Sequence, residues 1–292
     1  MAEVRRAVEA DLPTLLDVFF RAVDDLIARQ GRPTSRPHPG ALEQIIRHLL
    51  VTDPGTALLA EERGEVVAFG ILHVRDADAF LSFLFVLPGH QARGLGRTLA
   101  ERCLETGLGG RAGVCADADQ PVAIGLYSSL GMVPRVPLYV LRGVPRSEAL
   151  PSLPGGSRMT PLKLAAGDDL DERLLGYRRP MDHAFWRASL REGWQLEDHA
   201  GRIIGYGYAQ ASGRVGPVAA EAPEHVAPIL GHLARSLRPT DGWQVVVPGP
   251  AAEALRTLLG GGLRIDGGPA VYCADHAGPA FDRYLPMSFA LL

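Results

Sequence analysis

The stretch Phe83–Leu99, FLFVLPGHQARGLGRTL, decides how the chain is read. It opens with an apolar, β-rich run that Pro88-Gly89 stops. Gln91-Ala92-Arg93-Gly94-Leu95-Gly96-Arg97 then leads into a predicted helix from Gly94 to about Gly107. The first amides of a helix lack intrahelical partners, and the helix dipole adds partial positive charge there. Small residues let that backbone approach an anion closely, so this strand, turn and Gly-x-Gly entrance can cradle a phosphate. Arg93 and Arg97 add charge-assisted donors. Two other readings of the same residues stay open. A dinucleotide fingerprint wants its first glycine directly after the strand and a third where Leu99 stands. Here Pro88 to Arg93 intervene, although Asp117 falls about where a ribose-binding carboxylate would. In the plainer reading, Gly94 and Gly96 only serve a tight turn.

Upstream, Val4–Ala7 reads as a short strand. Leu12–Leu26 reads as an amphipathic helix with Asp11 as N-cap and Pro13 in its first turn. Residues 31–40, with three prolines, read as a loop, followed by a helix over Ala41–Leu50. Thr56–Glu61 and Val66–Arg75 are strands joined by a hairpin turn at Glu62–Glu65. Downstream come a strand at Gly113–Ala116, a helix at Pro121–Leu130 and a strand at Val136–Leu141. A hairpin feeding a βαβ unit predicts a mixed sheet with helices on both faces.

The Pro/Gly/Ser-rich segment from Pro145 to Pro161 reads as a linker, which sets domains at 1–145 and 161–292 around a linker at 146–160. The second half repeats the element order at low resolution, as a duplication would. It has helices at Asp168–Leu175, His183–Leu190, Pro223–Leu237 and Ala251–Leu259. Its strands are Trp194–Glu197, Ile203–Ala209, Arg214–Ala219 and Gln244–Val247, with a terminal run, Met287–Leu292, that could close the sheet.

Composition sets the outer bounds. A net charge of −3 gives no electrostatic case for nucleic acid. The longest nearly apolar run, Ala79–Leu87, is far too short to span a bilayer, and MAEVRRAVEADLP lacks a signal-peptide core. A cytoplasmic protein is therefore expected. Cys103, Cys115 and Cys273 lie far apart, and the nine histidines show no metal-ligand spacing, so no metal is expected. Lys163 is the only lysine, which leaves few amines in the chain for self-acylation.

Gln91-x-x-Gly94-x-Gly96, after a strand ending Val86-x-Pro88, resembles motif A of the GCN5-related N-acetyltransferase (GNAT) family. VRRAVEADLPTLLDV resembles that family's first strand and helix, and Ala123-x-x-Leu126-Tyr127-x-x-x-Gly131-Met132 its C-terminal signature. These motifs stand in family order over residues 3 to about 142. Residues 161–292 resemble the degenerate C-terminal domain of tandem GNAT proteins through Gly205-Tyr206-Gly207-Tyr208, Gly216-Pro217-Val218, Val247-Pro248-Gly249 and Leu285-Pro286. The resemblance implies an α/β fold of two GNAT-like domains in tandem, each a mostly antiparallel mixed sheet flanked by helices.

It also implies acetyl-CoA, or another acyl-CoA, as donor. The pyrophosphate would lie on the amides of Gln91, Ala92, Arg93, Gly94, Leu95, Gly96, Arg97 and Thr98. The pantetheine arm would pair with the backbone of Leu84, Phe85 and Val86, where two strands splay apart. Tyr127 matches the family tyrosine that donates a proton or hydrogen bond to the departing thiolate. Gln120 stands where many members have an asparagine that contacts the cofactor. The expected activity is N-acyl transfer to an amine, in the first instance of a small molecule, by direct attack on the thioester, in a monomer or homodimer. The alternatives are a protein acetyltransferase and a non-catalytic acyl-CoA-binding module.

One departure bears on chemistry. Where a glutamate base is common in the family, this chain has Leu81, Ser82 and Phe83. An alkylamine of pKa about 10.4 is neutral only about once in 2,500 at pH 7, so a proton acceptor matters. By chain position the nearest candidates are His73, Asp76 and Asp78. The second half has no glycine after Val218, and Glu221 and Glu224 would repel a pyrophosphate there.

Overall fold

The computed structural model describes residues 2–31, 38–107, 110–237, 239 and 241–292. The expected loop at 31–40 lies mostly outside them. The chain packs as two compact units. The first holds the residues up to Cys115, then Gly125–Val133 and Ala274–His276. The second holds Ala116–Ile124, Pro134–Cys273 and Ala277–Leu292.

The first unit contains β1 (Glu3–Arg6), α1 (Leu12–Gln30), α2 (Pro39–Thr52), β2 (Ala57–Glu62), β3 (Glu65–Arg75), β4 (Asp78–Val86) and α3 (Leu95–Thr106). β5 (Arg111–Asp117) and α4 (Pro121–Ser129) carry the chain onward. The strands lie in the order β1-β2-β3-β4-β5, antiparallel except for β4 beside β5. The β2–β3 hairpin turns on Arg63 and Gly64, with φ of 53° and 81°, the left-handed pair a type I′ turn requires. Asp11 does not cap α1 with its side chain. Its carboxylate instead accepts the Val8 amide at 2.8 Å and grips Arg5 with both oxygens, closing the preceding turn. α1 packs an aromatic face on the sheet, the Phe19 ring lying 4.6 Å from that of Phe85.

The second unit contains β6 (Val133–Gly143), β7 (Arg158–Pro161), α5 (Leu164–Leu175), α6 (Pro180–Ala188), β8 (Arg191–Glu197), β9 (Ile203–Gln210), β10 (Arg214–Ala220), α7 (Val226–Ser236), β11 (Trp243–Pro248) and α8 (Ala252–Gly260). After these come β12 (Arg264–Ile265), β13 (Ala270–Ala274) and β14 (Tyr284–Leu285). Its sheet runs β13-β6-β11-β10-β9-β8-β7, with β12 on β6 and β14 on β10; β10 and β11 are parallel. Each unit is thus a mostly antiparallel mixed sheet with helices, as the sequence indicated. Gly205 and Gly207 let α7 sit close, because a Cβ at either would lie 2.8 or 2.7 Å from Ile229.

Three expectations change. The segment read as a linker at 146–160 is packed structure: Leu150 belongs to the second unit's apolar core, Arg235 bonds the Leu150 and Pro151 carbonyls, and β7 pairs with β8. The strand expected in the first domain over Val136–Leu141 is β6, which pairs with β11 in the second unit. The terminal run Met287–Leu292 is not a strand; β14, just before it, is.

Candidate functional site

The site grows from an irregularity in β4. Ile71 on β3 pairs with Phe83 and Leu72 pairs with Leu81, so Ser82 has no partner and bulges. On the other edge, parallel pairing with β5 runs from Asp78↔Arg111 to Leu81↔Val114 and stops, although β4 continues to Val86. The strands therefore part at the bulge. Leu84, Phe85 and Val86 keep partners on β3 (Gly70, Phe69 and Ala68) while their β5-side edge lies beyond the paired stretch. Alternation turns Phe85 toward α1 and directs Leu84 and Val86 toward α3.

Directly after this edge comes the helix entrance. Ala92 and Gly94 are left-handed, at φ of 60° and 83°. Nothing lies within 4 Å of a Cβ built on Gly94, so the backbone angle, and not space, calls for glycine. A Cβ on Gly96 would meet Val86 at 3.7 Å and Leu126 at 3.9 Å, ordinary contacts that admit alanine and crowd anything larger. The first helical bond runs from the Thr98 amide to the Gly94 carbonyl, 3.0 Å. The amides of Leu95, Gly96 and Arg97 precede it, in the orientation that suits an anion. Gln91 braces the loop: its side-chain amide donates to the Val86 carbonyl at 3.0 Å and accepts from Arg29 at 3.4 Å. Arg97 donates to the Ser129 hydroxyl at 2.8 Å, and Arg93 is well exposed, 4.0 Å from Glu62.

Leu126 of α4 packs against the Gly96 position. The next residue, Tyr127, is buried; its carbonyl accepts the Leu130 and Met132 amides, both at 3.0 Å, in a turn that needs the left-handed Gly131. Leu84–Val86, Gln91–Thr98 and Tyr127 all fall in the first unit. Gln120 falls in the second, its amide bonded to the Asp117 carbonyl at 3.0 Å.

Of the candidate proton acceptors, Asp76 is exposed in the β3–β4 turn. Burial raises the pKa of Asp78, opposed by its ion pair with Arg111, and His276 Nε2 lies 3.4 Å away. His73 is buried, and its Nδ1 lies 2.8 Å from the hydroxyl oxygen of Ser82, the bulged residue itself. Sequence reasoning passed over Ser82. The only signal was its place as the one polar residue in the run Ala79–Leu87.

The second unit repeats the design with one change. β10 shifts register between Val215 and Val218, and its pairing with β11 ends at Val215↔Val245. Beyond that point β14 pairs with β10, Leu285 opposite Val218 and Tyr284 opposite Ala219. The following turn is acidic, and Glu221 is held by Arg173 at 3.1 Å. Among the described residues no three His, Cys, Asp or Glu side chains are grouped to hold a metal. Among the described residues no helix is long and apolar enough to cross a membrane.

Residues 21–132, from the middle of α1 to Met132, match the model of the Acetyltransferase (GNAT) family. No curated protein resembles the chain significantly in sequence. The fold matches a protein of Pyrococcus horikoshii classed provisionally as an acetyltransferase, with a TM-score of 0.78 at 17% identity, over 100% of this chain and 96% of that one. A GCN5-related N-acetyltransferase of Sphaerobacter thermophilus matches with a TM-score of 0.63 at 17% identity, over 95% and 96%. A tandem GNAT protein of the clavulanic acid biosynthesis pathway matches with 0.59 at 17%, over 96% and 100%. Residues 21–132 thus match the GNAT family model, and the chain as a whole shares its fold with these proteins, one of them a tandem GNAT protein.

Proposed function

We propose that the chain is an acetyl-CoA-dependent N-acyltransferase acting on a small amine, with the donor held by the first unit. One observation carries the reading: the β4–β5 parting, the Ser82 bulge and the uncapped basic entrance of α3 follow one another within residues 81–98. The β5-side edge of Leu84–Val86 suits the amides of a pantetheine arm. The amides of Leu95–Arg97 suit a pyrophosphate, with Arg93 and Arg97 beside it. Gly96 leaves the close approach that such a group needs.

The amine must lose a proton as its nitrogen bonds to the acyl carbon and the C–S bond breaks. Ser82 and His73 supply a route: the serine oxygen accepts the amine proton as its own passes to His73 Nδ1. Tyr127 returns a proton, or a hydrogen bond, to the thiolate. His73→Gln should then lower kcat about 10- to 100-fold, the lower half of the usual range for general acid–base catalysis, and flatten the acid limb of the pH profile. An unchanged profile would assign His73 to structure alone.

The second unit, in this reading, binds no donor, because β14 lies where the pantetheine arm would. One CoA per chain is expected in titration. A second reading, a binding module without turnover, is favoured by the absence of a carboxylate at Leu81–Phe83. Release of free thiol from acetyl-CoA with a panel of amines decides between them; tight CoA binding with no release for any amine supports the module. Arg93→Ala should cost about 1–3 kcal/mol of CoA affinity, and Gly96→Val should block binding. Calorimetry on folded variants that returned wild-type affinity would remove the cradle assignment.

A further inference from the structure

The register of the second unit's sheet sets one row of side chains across it. Arg191 on β8 opposes Gln210 on β9. Gln210 and Arg214 are the last residues of the β9–β10 hairpin, one step beyond the Ala209↔Val215 pair. Arg214 opposes Gln244 on β11, Gln244 opposes Arg142 on β6, and Arg142 opposes Arg264 on β12. Directly opposed residues share a face, so this one face carries Arg, Gln, Arg, Gln, Arg, Arg in line, at roughly 4.8 Å per strand.

The charge is poorly compensated. Asp266 meets Arg142 at 2.5 Å. Arg191 is buried, and its guanidinium donates to a neutral acceptor, the Gly216 carbonyl, at 3.0 Å. Among the described residues no carboxylate lies within ion-pairing distance of Arg191 or Arg214. Burial, followed by the charge of Arg214, pushes Arg191 down to about 9. Burial and Arg142 likewise lower Arg214. Desolvated guanidinium groups two strands apart on one face with no counter-charge are costly, and a bound oxyanion removes that cost. Planar forks are also the groups best suited to grip phosphate or carboxylate oxygens. The face is the one that carries Tyr208, two residues from Gln210, where α6 is anchored through the His183–Tyr208 bond of 2.7 Å.

We propose that this arginine row is a binding site for a small, multiply charged oxyanion, a phosphate ester or a polycarboxylate. The site is independent of the acyl-donor cradle and does not rest on the reading of that cradle.

The test is a titration of the full chain, in saturating CoA so that the helix entrance at Leu95–Arg97 does not compete, with pyrophosphate and with citrate at constant ionic strength, read by calorimetry and by the thermal midpoint. The expected result is one saturable site for at least one of the two probes, with a raised midpoint; which probe binds tells phosphate from carboxylate chemistry. Arg214→Gln should weaken that binding at least tenfold and leave CoA affinity unchanged. Arg264→Gln, at the exposed end of the row, should weaken it less. Arg214 is only partly buried, so its variant is expected to fold and is preferred to Arg191→Gln, which alters a buried residue. Failure of both probes to saturate, or an Arg214→Gln protein that titrates like the wild type, overturns the proposal.

Discussion

Asp171→Ala is expected to lower the stability of the second unit by about 3–5 kcal/mol, because it strands a fully buried arginine. Asp171 sits at the centre of a sealed polar cluster. One carboxylate oxygen accepts from Arg179 Nε at 2.5 Å and faces His183 Nε2 at 2.9 Å; the other accepts from the Tyr206 hydroxyl at 2.5 Å. Arg179 also donates to Tyr284 at 2.9 Å and to the Leu292 carbonyl at 2.5 Å, and its guanidinium lies 4.8 Å from the Trp186 ring centre. Removing a single donor is a milder change, so Tyr206→Phe should cost about 1–2 kcal/mol. Burial pushes the Asp171 pKa up, but the Arg179 charge and the His183 bond outweigh it, and the net shift is downward. A carboxylate with a depressed folded-state pKa stabilises above its unfolded value, about 4, and loses that contribution as pH falls toward the folded value. Urea unfolding of wild type and Asp171→Ala should therefore differ most near neutrality and converge below about pH 4. A difference independent of pH would mean the cluster acts through packing and not through charge.

Tyr127→Phe is expected to lower kcat about 10- to 1,000-fold while leaving CoA affinity nearly intact, as for an interaction made mainly in the transition state. The gain is limited because a phenol of pKa about 10 protonates a thiolate whose acid has pKa about 8.5 slightly uphill. The buried setting of Tyr127 in α4, one residue from the Leu126 contact under the helix entrance, gives the alternative outcome its meaning. A Phe variant with wild-type kcat would leave Tyr127 as packing and would not touch the donor cradle. Steady-state rates with an active amine, together with calorimetry for CoA, separate the two.

The strand, turn and helix entrance over Phe83–Leu99 were legible in the sequence because their demands are local. Gly94 must be left-handed, Gly96 must be small, and Pro88-Gly89 must end a strand; each is a property of the residue that stands there. The serine–histidine pair was hidden for the opposite reason. Ser82 reaches His73 only because a bulge changes the register of β4 against β3, and register is decided by the whole sheet. β13 and β14 escaped notice as well, since five- and two-residue strands owe their existence to partners far away in sequence. The arginine row is spread over positions 142 to 264, with no local pattern to join its members. Arg179 is among the most buried side chains in the second unit, and no local sequence pattern marks it, because its partners Asp171, Tyr206 and Tyr284 are brought together only by the fold.

The small excursion of Ala274–His276 into the first unit has a bearing on how the protein is made. There the Asp275 amide donates to the Ala112 carbonyl at 3.1 Å, and the Asp275 carboxylate accepts the Ala112 amide at 3.0 Å. The rest of that unit has been synthesised by Val133, so its last piece arrives 276 − 133 = 143 residues later. At about 5–20 residues per second the ribosome needs roughly 7–30 s to deliver it. For that interval the β5 backbone at Ala112 waits on the ribosome with those two bonds unmade, exposed to chaperones and to neighbouring nascent chains. No single contiguous piece of the gene encodes the first unit alone, so a stop codon placed after Val133 would release a fragment missing the Ala274–His276 contacts.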